Sequence, residues 1–239
     1  MTVGVVAIDP SSLRTGGALL GDRARIQSDP EDRGVFIRSM AARDRLGGVS
    51  DQTVAAVALM RALFDRVLVE TVGVGQSEAD VATIADTVLL CIQPGSGDSL
   101  QFMKAGVMEL PDVVVVTKGD MGAPARRAKA DVEGALSLYE RRDGGWATPV
   151  ALVSALEKTG LGEVEAALAA HEAHLRVGGR IGARRARQSE ACVDQAIRAR
   201  FGAAGLAASR GLRALLAGRG PFAREQAIAR ELARRLARE

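Results

Sequence analysis

Six short runs of continuous, largely β-branched apolar residues constrain this chain more than any other feature: Val3 to Ile8, Val35 to Ile37, Val67 to Val69, Val88 to Ile92, Val113 to Val116 and Val150 to Val153. A strand with one wet face alternates apolar and polar residues. Runs without alternation therefore predict strands covered on both faces, as in parallel sheets. Asp, Gly and Pro bound the runs, which argues against a helical protein carrying apolar patches. Between the runs, apolar residues recur at helical spacing: Val54, Val57, Ala58 and Arg61 to Phe64, then Val81, Ile84 and Ala85, then Leu100, Met103, Val107 and Leu110. The alternation predicts an α/β domain over residues 1–175, a mainly parallel sheet flanked by helices.

From Gly178 onward the chain changes character, so residues 176–239 are expected to form a separate helical extension. Its helix is interrupted near Gly202 to Gly205 and at Gly218 to Pro221, with one apolar stripe on each piece: Val193, Ile197 and Phe201, then Ile228, Leu232 and Leu236. Each stripe is expected to pack on the body or on another subunit. The net charge of +3 conceals an asymmetry: residues 1–175 carry 17 basic against 24 acidic side chains, and residues 176–239 carry 15 arginines against 5 acids. A basic helical tail fits nucleic acid or an acidic protein surface. With Phe201 and Phe222 its only aromatics, it has little with which to stack bases, so protein contact is favoured and nucleic acid disfavoured.

The start of the chain has no basic region followed by a small-residue cleavage site, and no apolar stretch approaches the roughly 20 residues of a membrane span. Two cysteines, Cys91 and Cys192, cannot make a disulfide framework and read as packing residues, which fits a reducing cytoplasm. His171 and His174 lie three apart beside Glu172, a spacing that could face one metal ion. With no other histidine in the chain, a solvated helix face is the better expectation. Trp146 and Tyr139 are expected to cover an edge of the sheet.

In an open parallel sheet, ligands sit beyond the carboxyl ends of the strands, so the residues directly after the apolar runs carry the chemistry. Asp9 follows the first run and Glu70 the third, and such carboxylates can hold hydrated Mg²⁺. Gly73, just after Glu70, would let backbone N–H groups approach a terminal phosphate and let the loop move when that phosphate leaves. Thr117-Lys118-Gly119-Asp120 follows the fifth run and is similar to the Asn-Lys-x-Asp motif of GTPases. There the carboxylate accepts two hydrogen bonds that guanine offers and adenine does not, while the lysine stem packs along the base. Ser154-Ala155-Leu156 follows the sixth run, where the second base loop of a GTPase would lie.

Longer blocks extend the likeness. AIDPSSLRTGGALLGDRAR, DRGVFIRSMAARDRLGGVS, VLVETVGVGQSE, IQPGSGDSLQFMKAGVMELPD and VTKGD occur in order over about residues 3 to 156 and resemble successive blocks of the MeaB/ArgK family of GTPases. The resemblance implies a P-loop fold and a GTP/GDP site with Mg²⁺. It further implies a homodimer joined by C-terminal helices, and a chaperone of an adenosylcobalamin-dependent mutase such as methylmalonyl-CoA mutase. Carried over residue by residue, it makes Asp9, Asp22 and Glu70 metal-site carboxylates, Glu70 and Gly73 parts of the catalytic loop, Lys118 and Asp120 readers of the base, and Ser154, Ala155 and Leu156 the base loop.

Two departures bear on mechanism. The family's phosphate loop, Gly-x-x-x-x-Gly-Lys-[Ser/Thr], belongs between a first strand and the block that here starts at Val3, and no Gly-Lys pair occurs in the 239 residues. The expectation is a body that lacks the first strand and the phosphate cradle, with an inactive protein-binding module as the alternative to a GTPase and a basic nucleic-acid binder as a distant third. Thr117 also stands where the family motif has asparagine.

Overall fold

A computed structural model describes residues 1–9, 31–41, 49–71, 81–95, 110–138, 145–213, 216 and 218–237. The chain divides into two compact units, one formed by Met1–Glu70 with Gly182–Glu239 and the other by Thr71–Ile181.

The first unit holds a three-stranded sheet of β1 (Val3–Asp9), β2 (Val35–Ala41) and β3 (Arg66–Thr71) in the order β2-β1-β3. Strands β1 and β2 are parallel, in register from Val3 opposite Val35 to Asp9 opposite Ala41. Helix α1 (Asp51–Leu63) starts at the N-cap Ser50, whose hydroxyl accepts the Thr53 N–H at 3.2 Å. It buries Thr53, Val57 and Met60, one face at helical spacing. Gly4 lets α1 come close to the sheet, because a Cβ there would lie 2.8 Å from Met60 Cε and 3.0 Å from a Phe64 ring carbon. Phe64 in turn stacks on Phe36, with ring centroids 5.9 Å apart.

A second three-stranded sheet, β4 (Leu89–Ile92), β5 (Val113–Val116) and β6 (Val150–Leu152), is parallel throughout, in the order β4-β5-β6. Side chains of the central strand β5 point alternately to opposite faces. Val114 joins Ile92 and Val132 on the side of α2 (Ala123–Ser137), while Val113 and Val115 join Val153, with Val164, Ala167 and Leu168 of α3 (Leu161–Arg176) packed against them. Helices cover both faces, so all four valines are buried, as the unalternating sequence requires.

The same expectation is corrected for β2 and β3. These are the outer strands of their sheet, and their runs are only partly covered, with Phe36 47% and Leu68 56% exposed. Of the other segments read as helical, Val81 is helical and a turn follows it, in which the Ile84 and Ala85 N–H groups both reach the Val81 carbonyl, while residues 72–80 lie outside the described residues. Residues 100–109 lie outside the described residues, as does Tyr139.

The start of the chain is tied to the start of β3. Asp65 Oδ2 accepts the Thr2 N–H at 2.6 Å and the Thr2 hydroxyl at 3.1 Å, and the Asp65 N–H returns to that hydroxyl. The Thr2 N–H, then its hydroxyl, hold the Asp65 carboxyl below its ordinary value. A carboxylate whose pKa falls on folding stabilises the fold above its unfolded value of about 3.9, and that contribution is lost as pH falls through the lower folded value. Melting curves of the parent and Asp65→Ala are therefore expected to differ near neutrality and to converge in acid.

His171, expected on a solvated face, is 1% exposed. Its Nε2 lies 3.3 Å from Asp112 Oδ1 and its Nδ1 2.9 Å from Thr87 Oγ1, while Asp112 Oδ2 accepts the Val88 N–H at 2.8 Å. An ionised carboxylate only accepts, so Nε2 donates to Asp112, and Nδ1 pairs with the Thr87 hydroxyl. Trp146, rather than covering a sheet edge, donates to the Asp112 carbonyl at 2.8 Å and lies against both His171 and His174. These bonds pin α3 to the residues that lead into β4 and β5. His171→Ala leaves Asp112 and Thr87 without that partner, and is expected to lower the unfolding free energy by roughly 1–3 kcal/mol in urea denaturation.

The tail forms α4 (Arg180–Arg213), interrupted at Gly202 (φ 69°, ψ −167°), and α5 (Pro221–Leu236). Its two apolar stripes meet each other, which corrects the expectation that each needs the body or another subunit. Val193 and Ile197 pack with Ile228, Ala229 and Leu232, and Phe201, Leu206, Leu212 and Leu216 surround them. Gly220 and Pro221 start α5, where a missing N–H costs nothing. Part of the arginine content also braces the tail: Arg213 binds Glu190 and Asp194 within α4, and Arg224 of α5 reaches across to Glu190 and, at 2.7 Å, to the Ser189 hydroxyl.

Candidate functional site

The second unit brings together the residues that follow β5 and β6. After Val116, the Thr117 N–H continues the ladder to the Ile92 carbonyl at 2.8 Å, and the Thr117 hydroxyl donates to the same oxygen at 3.1 Å. Lys118 is left-handed (φ 54°, ψ 45°), a backbone state that costs a non-glycine residue roughly 1–2 kcal/mol. This turn delivers the Gly119 N–H to the Val153 carbonyl at 2.8 Å. A Cβ on Gly119 would sit 3.2 Å from that carbonyl oxygen, so the close approach favours glycine. Asp120 lies in the 3-10 turn Gly119–Met121 with its side chain at the surface.

On the neighbouring strand, Val153 bonds back to Val116, and Ser154 and Thr159 exchange N–H···O=C bonds at 3.1 Å that close the intervening loop. Ser154 is fully buried, and its hydroxyl donates to Asp120 Oδ1 at 2.6 Å while accepting the Glu157 N–H at 3.1 Å. Gly160 (φ 78°) closes the turn where a Cβ would meet the Leu152 carbonyl oxygen at 2.1 Å. Ala155 and Leu156 stand in the loop, Leu156 82% exposed. The result is an exposed carboxylate whose direction is fixed by a buried hydroxyl. Such a group can accept two adjacent N–H donors from a planar ligand. The roles of Gly160 and of the Ser154–Thr159 bridge were not foreseen, although the glycine next to Lys158-Thr159 was a usable turn signal.

Other candidates fall elsewhere. Asp9 is the last residue of β1 and Glu70 the penultimate residue of β3, its neighbour in the first sheet, with Glu70 exposed. The Arg66 N–H bonds to the Thr2 carbonyl at 3.1 Å, so the two strands start side by side and end at the same margin. Asp22 and Gly73 lie outside the described residues. Among the described residues, no three His, Cys, Asp or Glu side chains cluster as a metal site.

Parallel sheets flanked by helices, with strand-end loops that present a fixed carboxylate, place the chain among α/β proteins of the P-loop NTPase fold. A crystal structure of the LAO/AO transport system kinase matches 98% of this chain and 72% of its own, with a TM-score of 0.58 and 26% identity. The chain belongs to the MeaB family, described as methylmalonyl-CoA mutase-associated GTPase, whose model matches residues 1–209. A Pyrococcus abyssi relative, provisionally named a GTPase, is 43% identical over 192 residues, covering 80% of this chain and 59% of the relative. The mouse methylmalonic aciduria type A homolog, a mitochondrial protein, is 39% identical over 187 residues, covering 77% of this chain and 45% of the relative. The chain thus spans about half the length of the curated relatives it matches.

Proposed function

We propose that this chain reads guanine nucleotides through Asp120 and belongs to the GTP-dependent chaperoning of an adenosylcobalamin-dependent acyl-CoA mutase. The observation that carries the nucleotide reading is the 2.6 Å bond from buried Ser154 to Asp120, which joins the two loops expected to hold the base and aims the carboxylate outward. Lys118, Ala155 and Leu156 line the same loops. The family match and the mouse relative's name support the mutase partner. The hard carboxylate oxygens of Asp9 and Glu70, with Asp22 by the family pattern, suit Mg²⁺, and Glu70 and Gly73 are assigned to the loop that senses the terminal phosphate. Among the described residues no helix is long and apolar enough to cross a membrane, and we place the chain in the cytoplasm.

Calorimetric titration with GDP and with ADP tests the nucleotide reading. GDP should bind more tightly, and equal affinities would overturn it. We further propose a domain boundary near residue 175 and self-association through the helical extension. The outward residues Phe222 and Leu236 of α5, 38% and 62% exposed, are available for it. Light scattering should give a dimer mass for the parent and a monomer mass for the Phe222→Ser, Leu236→Ser double variant. Equal masses would show that the tail does not mediate self-association.

A further inference from the structure

Thr117 is the one motif position where this chain departs from asparagine, and its hydrogen bonds say what the exchange does. A threonine hydroxyl has one proton to give. Here that proton goes to the Ile92 carbonyl at 3.1 Å, an oxygen that also accepts the Thr117 N–H at 2.8 Å. The base loop is therefore held from both neighbouring strands. Thr117 ties it to the end of β4, and Gly119 and Ser154 tie it to the end of β6. An asparagine amide has two protons, so it could hold a carbonyl and still donate to a ligand.

We propose that Thr117 is a positioning residue that does not touch the base, so that the loop reads guanine from the Asp120 edge alone and is indifferent to the ring nitrogen N7. The inference rests on the guanine reading above. N7 has no proton and needs a donor, and the only side-chain proton at position 117 is already committed to the end of β4. The hydroxyl still matters, because it fixes the residue that precedes the left-handed Lys118 and so sets where Asp120 stands.

The test compares GDP with 7-deaza-GDP, in which N7 is replaced by C–H, on the parent, Thr117→Val and Thr117→Ser. The parent is expected to bind both ligands equally. Thr117→Val removes the hydroxyl at nearly constant shape and should weaken both by the same factor, about 3- to 10-fold, the range of one hydrogen bond. Thr117→Ser should restore both. A parent that binds 7-deaza-GDP clearly less well than GDP would overturn the indifference to N7, and a valine variant that loses affinity for GDP alone would show that Thr117 is the group that contacts it. An unchanged valine variant would deny the positioning role. Failure of the guanine reading itself appears separately, as parent GDP affinity no better than ADP affinity with position 117 untouched.

Discussion

Replacing Asp120 by alanine is expected to erase the preference for GDP over ADP while leaving the weaker ADP affinity unchanged. On the proposed reading, Asp120 accepts from the guanine edge, and adenine offers no matching pair of donors. The loss should amount to about 2 to 4 kcal/mol if both ligand hydrogen bonds are shielded from water. In affinity that is roughly a 30- to 1000-fold fall for GDP. Ser154→Ala should be milder, since it frees the carboxylate to rotate without removing it. If Asp120→Ala weakened GDP and ADP alike, the carboxylate would be supporting the loop rather than reading the base. Titration of both nucleotides against both variants separates these outcomes.

A second large effect is expected in turnover: the 239-residue chain should not raise GTP hydrolysis above the buffer rate. Phosphoryl transfer is catalysed by positioning and by neutralising charge on the β- and γ-phosphates, chiefly through a backbone cradle, its lysine and a metal-bound hydroxyl. The sequence contains no Gly-Lys pair, hence no such loop. Losing one preorganised donor to a charged transition state costs about 3 kcal/mol, and several would be lost together. The comparison is phosphate release by this chain against a version carrying a Gly-x-x-x-x-Gly-Lys-[Ser/Thr] loop ahead of β1. Equal rates would mean that Glu70 and Gly73 do not belong to the phosphate site assigned to them.

What the sequence makes legible follows from how local each determinant is. Val113 to Val116 was bounded to the residue because the turn formers beside it and its unbroken branched run are local signals. An outer strand such as β3 carries a similar run, yet Leu68 is 56% exposed, because whether a second layer covers it depends on residues far away in sequence. Asp120 and Ser154 were found one motif at a time, but their hydrogen bond is a product of parallel pairing between β5 and β6. His171 was misread because helical spacing reveals a face and not its partner, here an aspartate in another part of the chain. The tail stripes were each visible, whereas the fold-back that seals them against each other depends on the short break before Pro221.

Trp146 has an optical consequence. It is the only tryptophan, and it lies 4.8 Å and 5.3 Å from the rings of His171 and His174, all three within the unit Thr71–Ile181. Its emission therefore reports the unfolding of that unit alone. Far-ultraviolet circular dichroism also registers the long helices α4 and α5, most of which belong to the other unit. Recorded together on one sample, coincident transitions would identify a single cooperative molecule, and an earlier loss of ellipticity would identify two units that melt in turn.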